Sequence, residues 1–131
     1  MSMDSPLFLT RSQVDRFHEA GLKRYGGLAG VREPGLVDSA LASAQNTFFY
    51  GRGDVFDVGA AYAFHLAEAQ AFNDGNKRVA AAAALVFLEL NGISELPDDD
   101  TLYAAMIQIA KKELTKSGLA ELLRKCGQSK D

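Results

Sequence analysis

The chain has 131 residues, 47% hydrophobic and 24% charged, with a formal net charge of -3, and a chain of this size buries roughly two thirds of its unfolded surface as one domain without help from metal or disulfide. The acidic balance argues against a general nucleic-acid binder, which carries a basic stripe, and the single cysteine, Cys126, leaves no intrachain disulfide and no cysteine-rich zinc site. The longest apolar run, Val79 to Leu88, falls well short of the ~20 residues that span a bilayer. Residues 1–6 have neither the basic segment nor the apolar core of a signal peptide, so the expected location is the cytoplasm.

Thr10 to Lys23 reads as a helix, with Thr10 and Gln13 as a capping box and Val14, Phe17 and Leu22 as its apolar face. Tyr25-Gly26-Gly27 stops it. Pro34 suits a first helical turn and opens a second helix to about Asn46, with Leu36, Ala40, Leu41 and Ala44 as the buried stripe. Phe48 to Phe56 then breaks the helical pattern. Its aromatics flank a Gly-x-Gly-Asp turn, so it reads as a hairpin or as an irregular loop. Asp57 is expected to cap a third helix, Val58 to Ala69. After the loop Gln70 to Gly75 a fourth helix runs from about Asn76 to Leu90. Its middle is apolar on every side, as in a helix buried at the centre of the core. Asp98 to Asp100 open a fifth helix to about Ala110, with the acids at the positive end of the helix dipole. Thr115 caps a sixth, ending near Lys125. The expected architecture is one all-α domain over 1–131, a bundle of about six helices around a central buried helix. Residues 1–6 and 127–131 are expected to be loose ends.

One segment carries chemistry: Phe72-Asn73-Asp74-Gly75-Asn76-Lys77-Arg78. Gly75 permits a tight turn, and the free N–H groups of the helix that follows make a site for anions. Lys77 and Arg78 add two full charges there. Basic residues in a first turn oppose the helix dipole, and a bound anion reverses that penalty. Asp74 can hold a divalent cation that bridges phosphate oxygens, and Phe72 is the apolar anchor of the loop. The bland alternative is a capped helix start, with Asp74 as the cap and the basic pair merely solvated. The segment is not a Walker A loop.

These residues resemble the motif of the Fic/Doc family, H-x-F-x-[DN]-[GA]-N-K-R, and the Lys-Arg ending resembles its death-on-curing (Doc) type toxins. The family order extends to Phe8-Leu9-Thr10, to Tyr25-Gly26-Gly27-Leu28 with Gly30, Arg32 and Pro34-Gly35-Leu36, to Ser39-Ala40-Leu41, and to Ala82-Ala83-Ala84-Leu85 with Phe87-Leu88 and Leu90-Asn91-Gly92. The resemblance covers residues 7–125 or so. It implies a six-helix Fic/Doc fold, ATP as phosphate donor, Mg2+ on Asp74, and phosphates held by Asn76 and the backbone from Phe72 and Asn73 to Gly75. Lys77 and Arg78 would neutralise charge during transfer, as phosphoryl transfer requires. It also implies a toxin partnered by a separate antitoxin, with a threonine of elongation factor Tu as the family's best-described target, and a flap that adds a strand to the target, for which the Phe48–Phe56 segment is the candidate.

Two departures from the family pattern bear on mechanism. AMP-transferring relatives read G-N-G-R with a further arginine, and here Lys77 and Ala81 stand at those places, which favours phosphate over AMP transfer. The motif histidine, which takes the proton of the attacking hydroxyl, is Gln70. A glutamine amide hydrogen-bonds but does not act as a base at neutral pH. Three readings therefore stay open: a phosphotransferase impaired by Gln70, a catalytically inactive module that binds nucleotide or partner, and an AMP transferase. His65 lies roughly 140° around the helix from Gln70 and points elsewhere. The self-inhibitory pattern [ST]-x-x-x-E-[GN] is absent, since Leu122 follows Ser117 and Glu121.

Overall fold

The Thr10 hydroxyl accepts from the Gln13 N–H at 3.2 Å and the Gln13 side chain accepts from the Thr10 N–H at 2.7 Å. This reciprocal box starts α1 (Arg11–Tyr25), as its sequence predicts. The computed structural model describes residues 5–127, and in it α1 is followed by α2 (Pro34–Phe49), α3 (Val55–Ala69), α4 (Asn76–Leu90), α5 (Asp99–Ala110) and α6 (Lys116–Gly127). The all-α reading is correct: among the described residues the only β pairing is an isolated bridge between Val31 and Phe72. No helix there is long and apolar enough to cross a membrane.

The hairpin expected at Phe48–Phe56 is not present. Phe48 and Phe49 complete α2, where they pack on Phe8 with ring centroids 6.1 and 5.6 Å away. That long-range contact sustains the helix beyond Asn46. A tight turn follows, closed by the Gly53 N–H on the Thr47 carbonyl at 3.0 Å, with Arg52 left-handed at φ 58°. The cap of α3 lies earlier than expected. Asp54 is the N-cap and Asp57 its reciprocal partner in a second capping box, so the helix begins at Val55. In α2 it is Val37 that is buried, while Leu36 is 39% exposed.

The core is organised around two helices rather than one. In α3 the residues Val58 to Ala63 are all buried, and Tyr62 accepts the Leu9 N–H at 3.0 Å. In α4 Val79, Ala80, Ala83, Ala84, Phe87 and Leu88 are buried, whereas Ala82, Leu85 and Val86 are half-buried, so α4 is not apolar-enclosed all round. α3 packs on α2, α4, α5 and α6, while α4 packs on α1, α3 and α5. Small side chains let α3 and α4 approach closely, and the motif segment is the turn that joins them. α6 reaches Gly127, where an added Cβ would lie 2.5 Å from the Phe56 ring. Residue 127 is therefore packed and not part of a loose end. Of the other residues expected to be loose, 1–4 and 128–131 lie outside the described residues.

Candidate active site

The turn between α3 and α4 is built by reciprocal backbone and side-chain bonds. α3 ends on Gln70 in the left-handed conformation, φ 48° and ψ 46°, which turns the chain away from the helix axis. Phe72 is 2% exposed and stacks on His18 with ring centroids 4.1 Å apart. His18 Nε2 lies 3.0 Å from the Asp74 carbonyl, so this buried histidine buttresses the turn from beneath. The Asn76 side chain clips the turn shut: its oxygen accepts the Phe72 N–H at 3.1 Å and its amide donates to the Phe72 carbonyl at 3.0 Å. Gly75 then takes φ 79° and serves as the N-cap of α4, with no side chain capping the helix. The N–H groups of Asn76, Lys77 and Arg78 are thereby left without intrahelical acceptors.

A second segment, Leu28 to Glu33, lies alongside. The Ala71 carbonyl accepts from the N–H groups of Arg32 at 2.7 Å and Glu33 at 3.0 Å, and the Gly30 carbonyl accepts from the Asn73 N–H at 3.1 Å. The Asn73 amide donates to the Ala29 carbonyl at 3.0 Å, and the Arg32 guanidinium donates to the Gln70 carbonyl at 2.5 Å. Glycines make this approach possible. A Cβ on Gly30 would sit 2.7 Å from the Asn73 amide, and one on Gly27 would sit 2.8 Å from Asp74 Oδ2. The extended segment beside the motif is thus Leu28–Glu33, and the Phe48–Phe56 segment lies elsewhere, around a separate apolar hollow lined by Phe48, Phe49 and Val55.

A cleft of about 420 Å³ opens over the turn, lined by Gln70 and by Asn73 through Arg78. Of the residues expected from sequence, these seven are brought together there. Phe72 lies beneath them as the anchor. Asp74 is exposed, and its carboxylate is oriented by the Gly75 N–H at 2.9 Å and the Leu28 N–H at 3.2 Å. One further lone pair remains on each oxygen. No group of three metal-ligating side chains occurs among the described residues, so no all-protein cage exists. A single carboxylate completed by phosphate oxygens and water is the pattern that suits Mg2+, and Asp74 at the rim of an uncapped helix start fits it.

Arg78 is held by aromatic faces, with its guanidinium carbon 3.6 Å from the Tyr25 ring centroid and 4.0 Å from that of Tyr103. Tyr103, Glu68 and Lys112 complete the cleft wall. Sequence reasoning missed these residues, along with Arg32. Arg32 and Tyr25 stand in the string that carries the family likeness, but nothing local marks Glu68, Tyr103 or Lys112. His65 faces away from the cleft, 3.2 Å from Lys116 Nζ. Burial, reinforced by the Lys116 charge, holds its pKa below the usual histidine value. Cys126 is half-buried in α6, far along the chain from the motif.

The Fic/DOC family model matches residues 8–88. The chain is 36% identical over 118 residues to "Protein kinase doc" of Escherichia phage P1, a match covering 89% of this chain and 93% of that protein. It is 42% identical over 85 residues to "Toxin Doc" of Mycolicibacterium smegmatis, covering 62% of this chain and 64% of that one.

Proposed function

The chain belongs to the Fic/DOC family, and from that membership we propose that it is the toxin of a toxin–antitoxin pair, transferring the γ-phosphoryl group of ATP to a hydroxyl of a translation protein such as elongation factor Tu. The observation that carries this reading is the uncapped start of α4, which presents three backbone N–H groups together with Lys77 and Arg78 to one cleft. In the transfer, the acceptor oxygen bonds to the γ-phosphorus as the bond to the bridging oxygen breaks, ADP leaves, and the hydroxyl proton passes to solvent water, since the Gln70 amide does not take it. Positioning and charge stabilisation do most of the work in such a reaction. The Lys77 and Arg78 charges and the α4 N–H groups would hold the triphosphate, while Asn73 and Asn76 keep the turn closed beneath it. Asp74 would hold Mg2+, which supplies charge neutralisation on the phosphate oxygens. Leu28–Glu33 is the segment placed to align an extended target peptide beside the cleft. A separate antitoxin would restrain the activity.

Gln70 supports a second reading, a module that binds nucleotide or partner without transfer. The acceptor hydroxyl must lose a proton, and a neutral amide offers only a hydrogen bond. Incubation with Mg2+, ATP and a bacterial lysate separates the readings. Label from γ-phosphate on one major protein, strengthened about 100-fold or more in Gln70→His, supports the phosphotransferase. ATP binding with label in Gln70→His alone supports a module whose catalysis the glutamine has removed. Label from α-phosphate would mean AMP transfer, and no label from either enzyme would overturn the proposal.

A further inference from the structure

Arg78 has five N–H donors, yet among the described residues it makes no hydrogen bond and no ion pair. It is held instead between two rings. The guanidinium carbon stands 3.6 Å from the Tyr25 centroid and 4.0 Å from the Tyr103 centroid, and Arg24 lies over Tyr25 at 5.4 Å. A flat cation between two ring faces is attracted by both quadrupoles. Its donors lie in its own plane, so they point out of the edges of the slot and none is consumed by the rings. Arg78 and Tyr103 both line the cleft over the α4 start, and Arg78, Tyr103 and Tyr25 together line a neighbouring hollow of about 200 Å³.

The two rings come from distant parts of the chain. Tyr25 is the last residue of α1, directly before the Gly26-Gly27-Leu28 turn that touches Asp74, and Tyr103 lies within α5. An exposed arginine ordinarily loses rotamer freedom when it binds an anion. Here that cost is met before the anion arrives, and preorganisation of this kind raises affinity without adding a contact. The exposure of the site makes the point sharper. An arginine in a half-open cleft needs a partner to stay put, and the usual carboxylate partner would compete with a phosphate, whereas an aromatic face does not.

We infer that Tyr25 and Tyr103 are positioning residues, which hold the Arg78 guanidinium between their rings beside the cleft as a preformed receptor for a polyphosphate anion. This deepens the proposed function and, for ATP, rests on it.

The test titrates the full chain with MgATP and, separately, with inorganic pyrophosphate, and follows the Arg78 Nε–H by NMR. Tyr103→Leu fills the space but removes the ring, and should weaken both ligands about fivefold to tenfold while the Arg78 side chain becomes mobile. Tyr103→Phe keeps the face and should restore both affinity and rigidity to within about twofold. In an Arg78→Ala background, Tyr103→Leu should cost nothing more, because a ring that acts through Arg78 has nothing left to hold. That loss of effect separates positioning from simple structural support. A Tyr103→Leu loss that persists in the Arg78→Ala background, or unchanged affinity in Tyr103→Leu, overturns the inference and leaves the nucleotide reading standing. Pyrophosphate binding with this pattern, but without ATP binding, overturns the nucleotide reading and leaves the clamp. A wild-type chain that binds neither ligand overturns both.

Discussion

Asp74 shows how one side chain is placed by its neighbours' lack of side chains. Its Oδ2 accepts the Leu28 N–H at 3.2 Å, and a Cβ on Gly27 would intrude to 2.8 Å from that same oxygen. Gly27 also has φ 118°, which side-chain-bearing residues avoid, whereas its neighbour Gly26 at φ 79° has nothing within 4 Å of an added Cβ. The pair therefore separates backbone strain from displacement of the carboxylate. Both Gly26→Ala and Gly27→Ala should cost about 1 kcal/mol or more in urea unfolding. Only Gly27→Ala should also weaken Mg2+-dependent ATP binding, by about tenfold, because it moves the carboxylate that stands beside the α4 start, where it can share a metal with phosphate. Equal ATP affinity in the two variants would mean that Asp74 does not work through magnesium. Gln70 is the complementary case. Its left-handed backbone, φ 48°, serves the turn whatever its side chain does, so Gln70→His changes the chemistry at a position whose fold role is carried by the main chain.

Among the helices, the join of α6 to the start of α3 is the most strongly charged. Arg124 reaches across from α6 to Asp54 at 3.0 Å and Asp57 at 3.0 Å, the two members of the α3 capping box, and to Glu121 at 2.6 Å. Burial alone would raise the Asp54 pKa, but the Arg124 guanidinium, together with the Asp57 N–H, overcomes it and leaves the carboxyl below its ordinary 3.8. A carboxyl with a depressed folded-state pKa binds its proton more readily when unfolded. Its contribution is therefore complete above the ordinary value and is lost as pH falls through the folded value. Asp54→Asn keeps the helix cap, since asparagine caps as well as aspartate, and removes the charge together with one of the two oxygens that accept from Arg124. It should cost about 0.5–1 kcal/mol at pH 7, as expected for a half-exposed pair. The difference should shrink as pH falls below the ordinary carboxyl value and close once the native Asp54 carboxyl is itself protonated, a convergence that urea curves at falling pH measure. The same helix start shows the limit of local reading. Asp54 and Asp57 both precede the apolar run, and only the observed reciprocal bonds identify the earlier one as the cap. The hairpin reading failed for a related reason. Aromatics around Gly-x-Gly suit a hairpin or a helix end equally, and the choice was made by Phe8, which lies about forty residues away in sequence and packs on both phenylalanines. The motif, by contrast, was legible because its residue types mark it locally and its central clip, between Asn76 and Phe72, closes within four residues. Tyr103 and Lys112 were not, since nothing but the folded chain brings α5 and the residues just after it against that turn, and Glu68, in the last turn of α3, carries no local signal of its own.

Across the whole molecule, the α3–α4 pair links a packing centre to a binding end, and the two ends can be perturbed separately. Gly59, near the start of α3, faces Leu88, near the end of α4: an added Cβ would lie 3.3 Å from two Leu88 carbons. The motif turn joins the opposite ends of the same helices, about 15 Å away along α3 at 1.5 Å per residue. Gly59→Ala needs Leu88 to yield only slightly and gains helix propensity, so its stability should stay within about 1 kcal/mol of wild type. Gly59→Val adds methyl groups for which Leu88 leaves no room, and overpacking of this kind costs about 1–3 kcal/mol. If the centre and the cleft are independent, Gly59→Val should melt lower than wild type yet gain as much stability from MgATP, about 2.7 kcal/mol at one hundred times the dissociation constant. The N–H groups that would hold phosphate belong to the first turn of α4, which is fixed by Asn76, Phe72 and His18 rather than by the Gly59–Leu88 crossing. Thermal unfolding of both variants with and without MgATP measures this directly. A smaller ligand-induced gain in Gly59→Val would show that the spacing of α3 and α4 at one end sets the geometry of the anion site at the other.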